Sequence, residues 1–129
     1  MVPFRLVPQS GVPIAEQVTF AAKKAILSGK LRPGDPFPSV RVLSRAMKIH
    51  ANTAQKVIAQ LAEDGLLKVL PGIGTVVVQP AAPRNGRARL LAREVEELAV
   101  QAMQVGASLE DLQSAIAECW RRLAGEDNR

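Results

Sequence analysis

Four polar side chains lie on one face at the start of a predicted helix, and their types suit hydrogen bonding to nucleic-acid bases. They are Asn52, Thr53, Gln55 and Lys56. Asn and Gln form paired hydrogen bonds with adenine, and Lys reaches guanine or a phosphate. The inward face of this helix is apolar at i, i+3, i+4, i+7 and i+8, at Ala54, Val57, Ile58, Leu61 and Ala62. An ordinary solvated helix has the same pattern, so the helix alone leaves both interpretations open.

Few side chains in the sequence suit catalysis. The chain has one His, His50, one Cys, Cys119, and no Tyr, which leaves few acid–base or nucleophilic groups. The sequence contains no phosphate-binding loop and no metal-ligand cluster, and His50 lacks companion ligands. We therefore predict a protein that is not an enzyme and has no metal or cofactor. Cys119 falls on an apolar stripe and is predicted to be a buried packing residue rather than a redox sensor.

The charge of the chain is concentrated in its N-terminal part. Residues 1–79 carry ten basic and four acidic side chains, a net charge of +6, whereas residues 80–129 have a net charge of −1. A basic domain attracts polyanions, either nucleic acid or an anionic membrane surface. The acidic C-terminal part argues against the membrane surface. We find no signal-peptide pattern and no apolar run near the ~20 residues of a membrane span, and we expect a cytoplasmic protein.

Apolar periodicity and breaker residues predict three helices followed by a hairpin. The first helix begins at Pro13 and ends at Gly29. Ser39 caps a second helix from Val40 to Met47, whose apolar face is Val42, Leu43 and Ala46. The third helix begins near His50 or Ala51 and ends at Gly65. Two β-rich runs follow, Leu66–Leu70 and Thr75–Gln79. This order predicts a mainly α fold with a small β-hairpin: a winged helix-turn-helix over residues 11–79, with the helix-turn-helix at about 40–59 and the wing at 66–79.

Residues 80–88 are rich in Pro and Gly, which predicts a linker. The apolar pattern of residues 89–124 predicts a two-helix arm. Apolar residues recur there at alternating steps of three and four, which is typical of helices with a coiled-coil-like seam. Ser108 and Asp111 resemble a capping box between the two helices. Two such helices have little core of their own, so we predict that the arm makes the protein a homodimer. The predicted interface residues are Leu91, Val95, Leu98, Ala102, Leu112, Ile116 and Trp120.

Several blocks within residues 11–79 resemble, in order and spacing, the DNA-binding domain of the GntR family of bacterial regulators. The blocks are Pro13 to Gln17, Ile26 to Asp35, Phe37 to Ser44, Asn52-Thr53, Leu61 to Leu67 and Gly72 to Val76. Most members of that family carry a much larger C-terminal domain. The short helical arm is similar to that of the YtrA subfamily, whose members are dimeric regulators and often repressors of ABC-transporter genes.

The resemblance implies that the protein binds double-stranded DNA at a pseudo-palindromic operator and represses transcription. A winged helix that binds RNA or a protein partner is the alternative. The effector is not readable from the sequence, and any effector is expected to bind between protomers or act through another protein. The hairpin turn lacks the basic residues usual in the family, so the wing is expected to hold DNA less by charge. The implied DNA-contacting residues are Ser39, Arg41, Arg45, Lys48, His50, Asn52, Thr53, Gln55, Lys56, Gly72, Gly74 and Thr75.

Overall fold

The computed structural model describes residues 2–6, 9–79 and 86–125, in two compact units, Met1–Pro80 and Ala81–Arg129. Residues 80–85 of the predicted linker lie outside the described residues. The first unit contains three helices and a two-stranded antiparallel sheet. They are α1 (Ile14–Leu27), α2 (Val40–Met47), α3 (Ala51–Glu63), β1 (Leu67–Leu70) and β2 (Gly74–Val77). Three helices followed by a hairpin form the predicted winged helix.

Local sequence explains where the helices begin and end. Pro13 occupies the N-cap position of α1, where its missing N–H group costs no hydrogen bond. The Ser39 side chain caps α2 by accepting a hydrogen bond from the Val42 amide at 3.2 Å, as predicted. After α3, Gly65 has a φ of +79°, a left-handed conformation that ends a helix without steric cost in glycine.

The core of this unit lies where α1 and α2 pack against α3. Val18, Leu43, Val57 and Leu61 are fully buried there. The buried faces of α2 and α3 are narrower than the apolar faces that the sequence predicts. Val42, Ala46 and Ala62 are exposed, and Ile58 is only half-buried. Each of these helices contacts the core along a limited stripe, and residues at the edge of that stripe remain in solvent.

The wing is clamped on both sides of β2. On one side β1 pairs with β2, with Leu67 opposite Val77 and Leu70 opposite Gly74. On the other side Pro36 forms a bridge with Val76, and the Phe37 amide donates to the carbonyl oxygen of Thr75 at 2.9 Å. The strands are shorter than the predicted runs, because pairing covers only Leu67–Leu70 and Gly74–Val77.

The second unit contains α4 (Arg87–Leu90), α5 (Ala92–Gln104) and α6 (Leu109–Leu123). The predicted capping box opens α6, where Ser108 Oγ accepts from the Asp111 amide at 3.0 Å and the Asp111 carboxylate accepts from the Ser108 amide at 2.9 Å. The last two residues of the predicted linker belong to α4, and Leu91 separates α4 from α5.

Helices α5 and α6 bury none of their residues within one chain. The prediction that Cys119 is buried is therefore wrong for the single chain, in which Cys119 is exposed. The physical reason is that no surface in the described part of one chain covers the apolar stripe of α6.

Replacing Leu61 with Ala should destabilise the first unit by about 2–5 kcal/mol, because Leu61 is fully buried and Ala leaves a cavity. Leu27→Ala is the matched control, since Leu27 is 68% exposed on α1, and it should change stability by less than about 0.5 kcal/mol. Hydrogen exchange of the α3 amides measures the unfolding free energy of this unit. Equal effects of the two substitutions would contradict this description of the core.

Candidate nucleic-acid interface

Helix α3 presents a polar face to solvent at its N-terminal end. Asn52, Gln55 and Lys56 are exposed, and Thr53 is half-buried. Ala54, which follows Thr53 in the same helical turn, is fully buried. The opposite side of this turn therefore packs against the core. Amide and ammonium groups arranged on one helix face in this way are suited to the edges of bases in a major groove.

A basic stripe is formed by Arg41 and Arg45 on helix α2 and by Lys48, the C-cap residue of that helix. The three side chains are exposed. Arg41 and Arg45, at i and i+4, lie on one face of the helix, and Lys48 follows just beyond its last turn. In the described ranges 2–6, 9–79 and 86–125, the ion pairs are Lys23–Asp64 and Arg93–Glu97. The stripe therefore presents cations that no described carboxylate neutralises, and phosphate groups are the natural partners of such cations.

The segment before α2 is hydrogen-bonded to the wing. The Phe37 amide donates a hydrogen bond to β2, and Ser39, two residues later, is the N-cap of α2. The positive end of the α2 dipole is therefore held beside the wing. Backbone amides at such a helix start suit an anion, which agrees in chemistry with the basic stripe on the same helix.

The turn between α2 and α3 has a strained residue. Lys48 has φ of 56° and ψ of 50°, and it is the non-glycine residue with positive φ among those described. The Ile49 amide donates to the Ser44 carbonyl oxygen at 3.0 Å, which closes the turn. His50 occupies the N-cap position of α3, as expected, but its side chain makes no capping hydrogen bond. Its carbonyl oxygen accepts the first hydrogen bond of the helix, from the Ala54 amide at 3.0 Å.

The wing contributes Gly72, Gly74 and Thr75, the first two exposed and Thr75 half-buried. Gly72 has φ of +78° and Gly74 has φ of +116°, and no atom lies within 4 Å of a Cβ built on either. Backbone conformation, rather than crowding inside the chain, therefore requires glycine at these positions. Lys68 on β1 is also exposed. This cation is not among the DNA-contacting residues that the family resemblance implies, although its place in the strand next to the buried Leu67 indicates that it points outward.

Two carboxyl groups have lowered pKa values, and both have structural causes. A hydrogen bond from Lys23 lowers the pKa of Asp64; desolvation opposes this effect, and a hydrogen bond from Gln60 and the charge of Lys23 add to it. The Lys23–Asp64 pair, at 2.7 Å, ties α1 to the C-terminal end of α3. In the arm, hydrogen bonds from the backbone and side chain of Ser108 lower the pKa of Asp111.

Neither carboxyl group belongs to a metal site in the described part of the chain. No group of three or more His, Cys, Asp or Glu residues there is arranged to hold a metal ion. The helices that the structure describes are also too short or too polar to cross a bilayer.

A basic winged helix with an outward polar helix face belongs to the class of DNA-binding regulatory domains. Residues 14–77 match the family described as bacterial regulatory proteins, gntR family. The HTH-type transcriptional repressor YtrA of Bacillus subtilis (strain 168) is 32% identical over 113 residues, which cover 86% of this chain and 87% of the repressor. The chain belongs to the gntR family of bacterial regulatory proteins, and along most of its length it resembles YtrA.

Solved structures agree on the fold. The transcriptional antiterminator from Listeria monocytogenes EGD-e has a TM-score of 0.81 at 20% identity, with 95% of this chain and 92% of that chain covered. The DNA-binding domain of AraR, solved in complex with operator ORX1, has a TM-score of 0.53 at 25% identity, with 60% of this chain and all of that chain covered (100%). The part of this chain that matches a domain solved on its operator is therefore a DNA-binding fold.

Lys48→Gly should stabilise the first unit while weakening DNA binding. A left-handed conformation costs a non-glycine residue about 1–2 kcal/mol, and the greater unfolded-state entropy of Gly offsets about 0.5–1 kcal/mol of that gain. Loss of one phosphate contact should reduce the slope of log affinity against log salt by about 1.

Lys48→Asn is the matched control for this experiment, because Asn tolerates the left-handed conformation and removes the same charge. Both variants should bind duplex DNA more weakly than the wild type. If both bind as tightly as the wild type at low salt, Lys48 is not a phosphate contact.

Proposed function

We propose that this chain is a transcriptional repressor that acts in the cytoplasm and binds a pseudo-palindromic operator as a homodimer. In this proposal the polar face of α3 enters the major groove and reads bases through Asn52, Thr53, Gln55 and Lys56. The observation that carries it is the exposed polar face of α3 together with the basic stripe of α2 and its C-cap, whose cations pair with no carboxylate among the residues that the structure describes. The similarity to a repressor over most of the chain supports the direction of regulation.

The remaining contacts divide by chemistry. Arg41, Arg45 and Lys48 bind backbone phosphates, because exposed guanidinium and ammonium groups along α2 and at its C-cap suit an anionic strand. The N-terminus of α2, capped by Ser39, binds a further phosphate. His50 contacts the backbone beside α3, and the wing contributes Gly72, Gly74 and Thr75. Phosphate contacts fix the orientation of the domain, and the α3 contacts select the sequence.

Dimerisation through the arm is the second half of the proposal. On α5, Val95 and Leu98 are exposed and Ala102 is half-buried; on α6, Ile116 and Trp120 are exposed and Leu112 is half-buried. With Leu91, which is also exposed, these residues form apolar stripes that favour burial against a second copy about a two-fold axis. Two α3 helices held in this way fit successive major grooves about 34 Å apart.

The same resemblance points to a class of regulated genes, and the lack of a core within α5 and α6 limits where an effector can bind. We propose that the operator controls an ABC-transporter operon, which transcript measurements in a deletion strain test by a rise in transporter mRNA. Since α5 and α6 enclose no buried residue within one chain, an effector binds between protomers or acts through another protein. An effector enclosed within a single arm would contradict this.

Arg41→Ala and Asn52→Ala should weaken DNA binding in different ways. Arg41→Ala should lower affinity for every duplex and reduce the salt slope by about 1, because it removes a phosphate contact. Asn52→Ala should cost about 1–3 kcal/mol on the operator and much less on random duplex, because it removes a base contact. Gel shifts on an operator selected from a random library, across salt concentrations, measure both.

Arg93→Ala is the charge-matched control, because Arg93 lies on α5 and pairs with Glu97. It should leave operator affinity close to that of the wild type. An RNA duplex of the operator sequence tests the alternative class of partner. Tighter binding to RNA than to DNA, or equal loss from Asn52→Ala on operator and random duplex, would contradict base reading by α3.

Leu98→Asp should convert the dimer to a monomer whose first unit still folds. A charge in the apolar stripe of α5 is costly to bury, and Leu98 is 40% exposed in the single chain. Val100→Asp is the control, since Val100 is 58% exposed and lies outside the stripe. Sedimentation and gel shifts on full and half operators measure the outcome. A Leu98→Asp variant that stays dimeric would refute the interface.

A further inference from the structure

A trough with a volume of about 940 Å³ lies along the outward side of α1. Its floor is α1, and its two walls are the segment before α1 and the outer side of α3. At one wall, the Gln17 side chain exchanges two hydrogen bonds with the Gln9 backbone, both at 3.0 Å. At the other wall, Lys23 pairs with Asp64 at 2.7 Å. Positions 17, 20 and 23 are turned by about 60° from one to the next around the helix, so Phe20 lies between the two walls.

Phe20 is a large apolar side chain that this floor leaves in water. It is 61% exposed, whereas Ala21 and Ala22, the next two residues of the helix, are buried in the core. The ammonium group of Lys24 lies 5.2 Å from the centroid of the Phe20 ring, which is within the range of a cation–π contact. An exposed phenyl ring inside a concave surface is typical of a binding site, in which an apolar group of the partner covers the ring.

The trough carries more positive than negative charge. The charged residues that line it are four cations and two carboxylates, Arg5, Lys23, Lys24, Lys56, Glu16 and Asp64. Lys23 and Asp64 pair with each other, and in the described part of the chain the other three cations are bound to no carboxylate. Complementarity of charge therefore favours an anionic partner.

The polar groups of the trough suit a peptide better than the phosphates of a nucleic acid. Phosphate oxygens only accept hydrogen bonds, and the carboxylate of Glu16 repels them, whereas each residue of a peptide backbone carries a donor and an acceptor. The side-chain amides of Gln17 and Gln60 in the two walls offer both kinds of group as well. The walls therefore match the alternating donors and acceptors of an extended chain.

The shape of the trough also suits a peptide better than a compact metabolite. Along α3 its wall runs from Lys56 to Asp64, which is about 12 Å at the rise of a helix. That length matches about four residues of an extended chain. Gln9 and Gln60, in opposite walls, are both exposed, so the trough is open along its length, whereas small-molecule sites enclose most of the surface of their ligand.

We propose that this trough binds a short acidic segment of a partner protein, with one large apolar side chain of that segment stacked on Phe20. Carboxylates on either side of this anchor reach Arg5, Lys24 and Lys56. An apolar anchor in a concave site supplies most of the affinity, and the surrounding charges select the partner. A signal would then reach this chain through another protein rather than through a bound metabolite.

Lys56 connects the trough to DNA binding. It lines the trough and is also exposed on the polar face of α3, where the proposed function, on which this step rests, has it contact DNA. A bound acidic segment withdraws Lys56 from DNA and places negative charge beside the phosphates. The segment and the operator therefore weaken each other's binding, and by the same factor in both directions.

The test selects a ligand for the full chain from a phage-displayed library of random peptides of about seven residues, long enough to fill the trough and pass its ends. The enriched peptides should be acidic and contain an aromatic or large aliphatic residue. Fluorescence anisotropy of one selected peptide then measures its affinity without DNA. Phe20→Ala should weaken binding about tenfold because it removes the stacked ring, and Lys24→Glu should weaken it at least about tenfold because it places like charges together.

Leu27→Ala is the matched control, because Leu27 is 68% exposed on the same helix and does not line the trough. It should bind the selected peptide as tightly as the wild type. Hydrogen exchange of the α3 amides should be unchanged in Phe20→Ala, which separates a lost contact from unfolding. A saturating concentration of the peptide should lower the affinity of the wild type for a selected operator about tenfold.

Several outcomes would overturn the inference. They are a selection that enriches no acidic peptide, and a selected peptide that binds Phe20→Ala as tightly as the wild type. A change in the sedimentation of Phe20→Ala would assign the trough to a second copy of the chain and equally overturn it. Unchanged operator affinity in the presence of bound peptide would contradict the shared use of Lys56. If the wild type selects no operator, the proposed function is wrong, and the peptide affinities measured without DNA still decide whether the trough is a docking site.

Discussion

The outward face of α3 is determined by what its inward face packs against. Val57 and Leu61 are fully buried in one cluster with residues of α1 and α2. Because an α-helix has 3.6 residues per turn, fixing these two side chains in the core directs Lys56 into solvent. The Lys23–Asp64 ion pair ties the far end of the helix to α1. Any rotation of α3 would expose apolar groups and bury polar ones together, so the interface is as well ordered as the core beneath it.

Local patterns predicted most of the elements, because caps and periodicity act within a few residues. Ser39 and the Ser108 capping box are set by short sequence signals. Features that depend on distant residues escaped: the bridge from Pro36 to Val76 joins segments about 40 positions apart in the chain. Lys48 carries a left-handed turn in which Gly is expected. The prediction for Cys119 is wrong for the single chain, because an apolar stripe on a helix does not by itself show whether another part of the chain covers it.

The two units differ in how much of their apolar surface is buried within one chain. The first has a buried core and a net positive charge. The second buries none of its described helical residues within one chain, which is why association through the arm is proposed. In the proposed dimer, joining two weak half-site contacts raises the affinity for a full operator through effective concentration. In that dimer, a change that weakens association through the arm should weaken operator binding without altering α3.

Methylation protection on an operator selected from a random library shows directly whether two α3 helices read the major groove. Dimethyl sulfate reaches guanine N7 in that groove, where α3 is proposed to bind. A homodimer on a pseudo-palindromic operator should give two patches of N7 protection centred about 10 base pairs apart, one for each protomer. Protection confined to the minor groove, or a single patch at concentrations that saturate the operator, would contradict it.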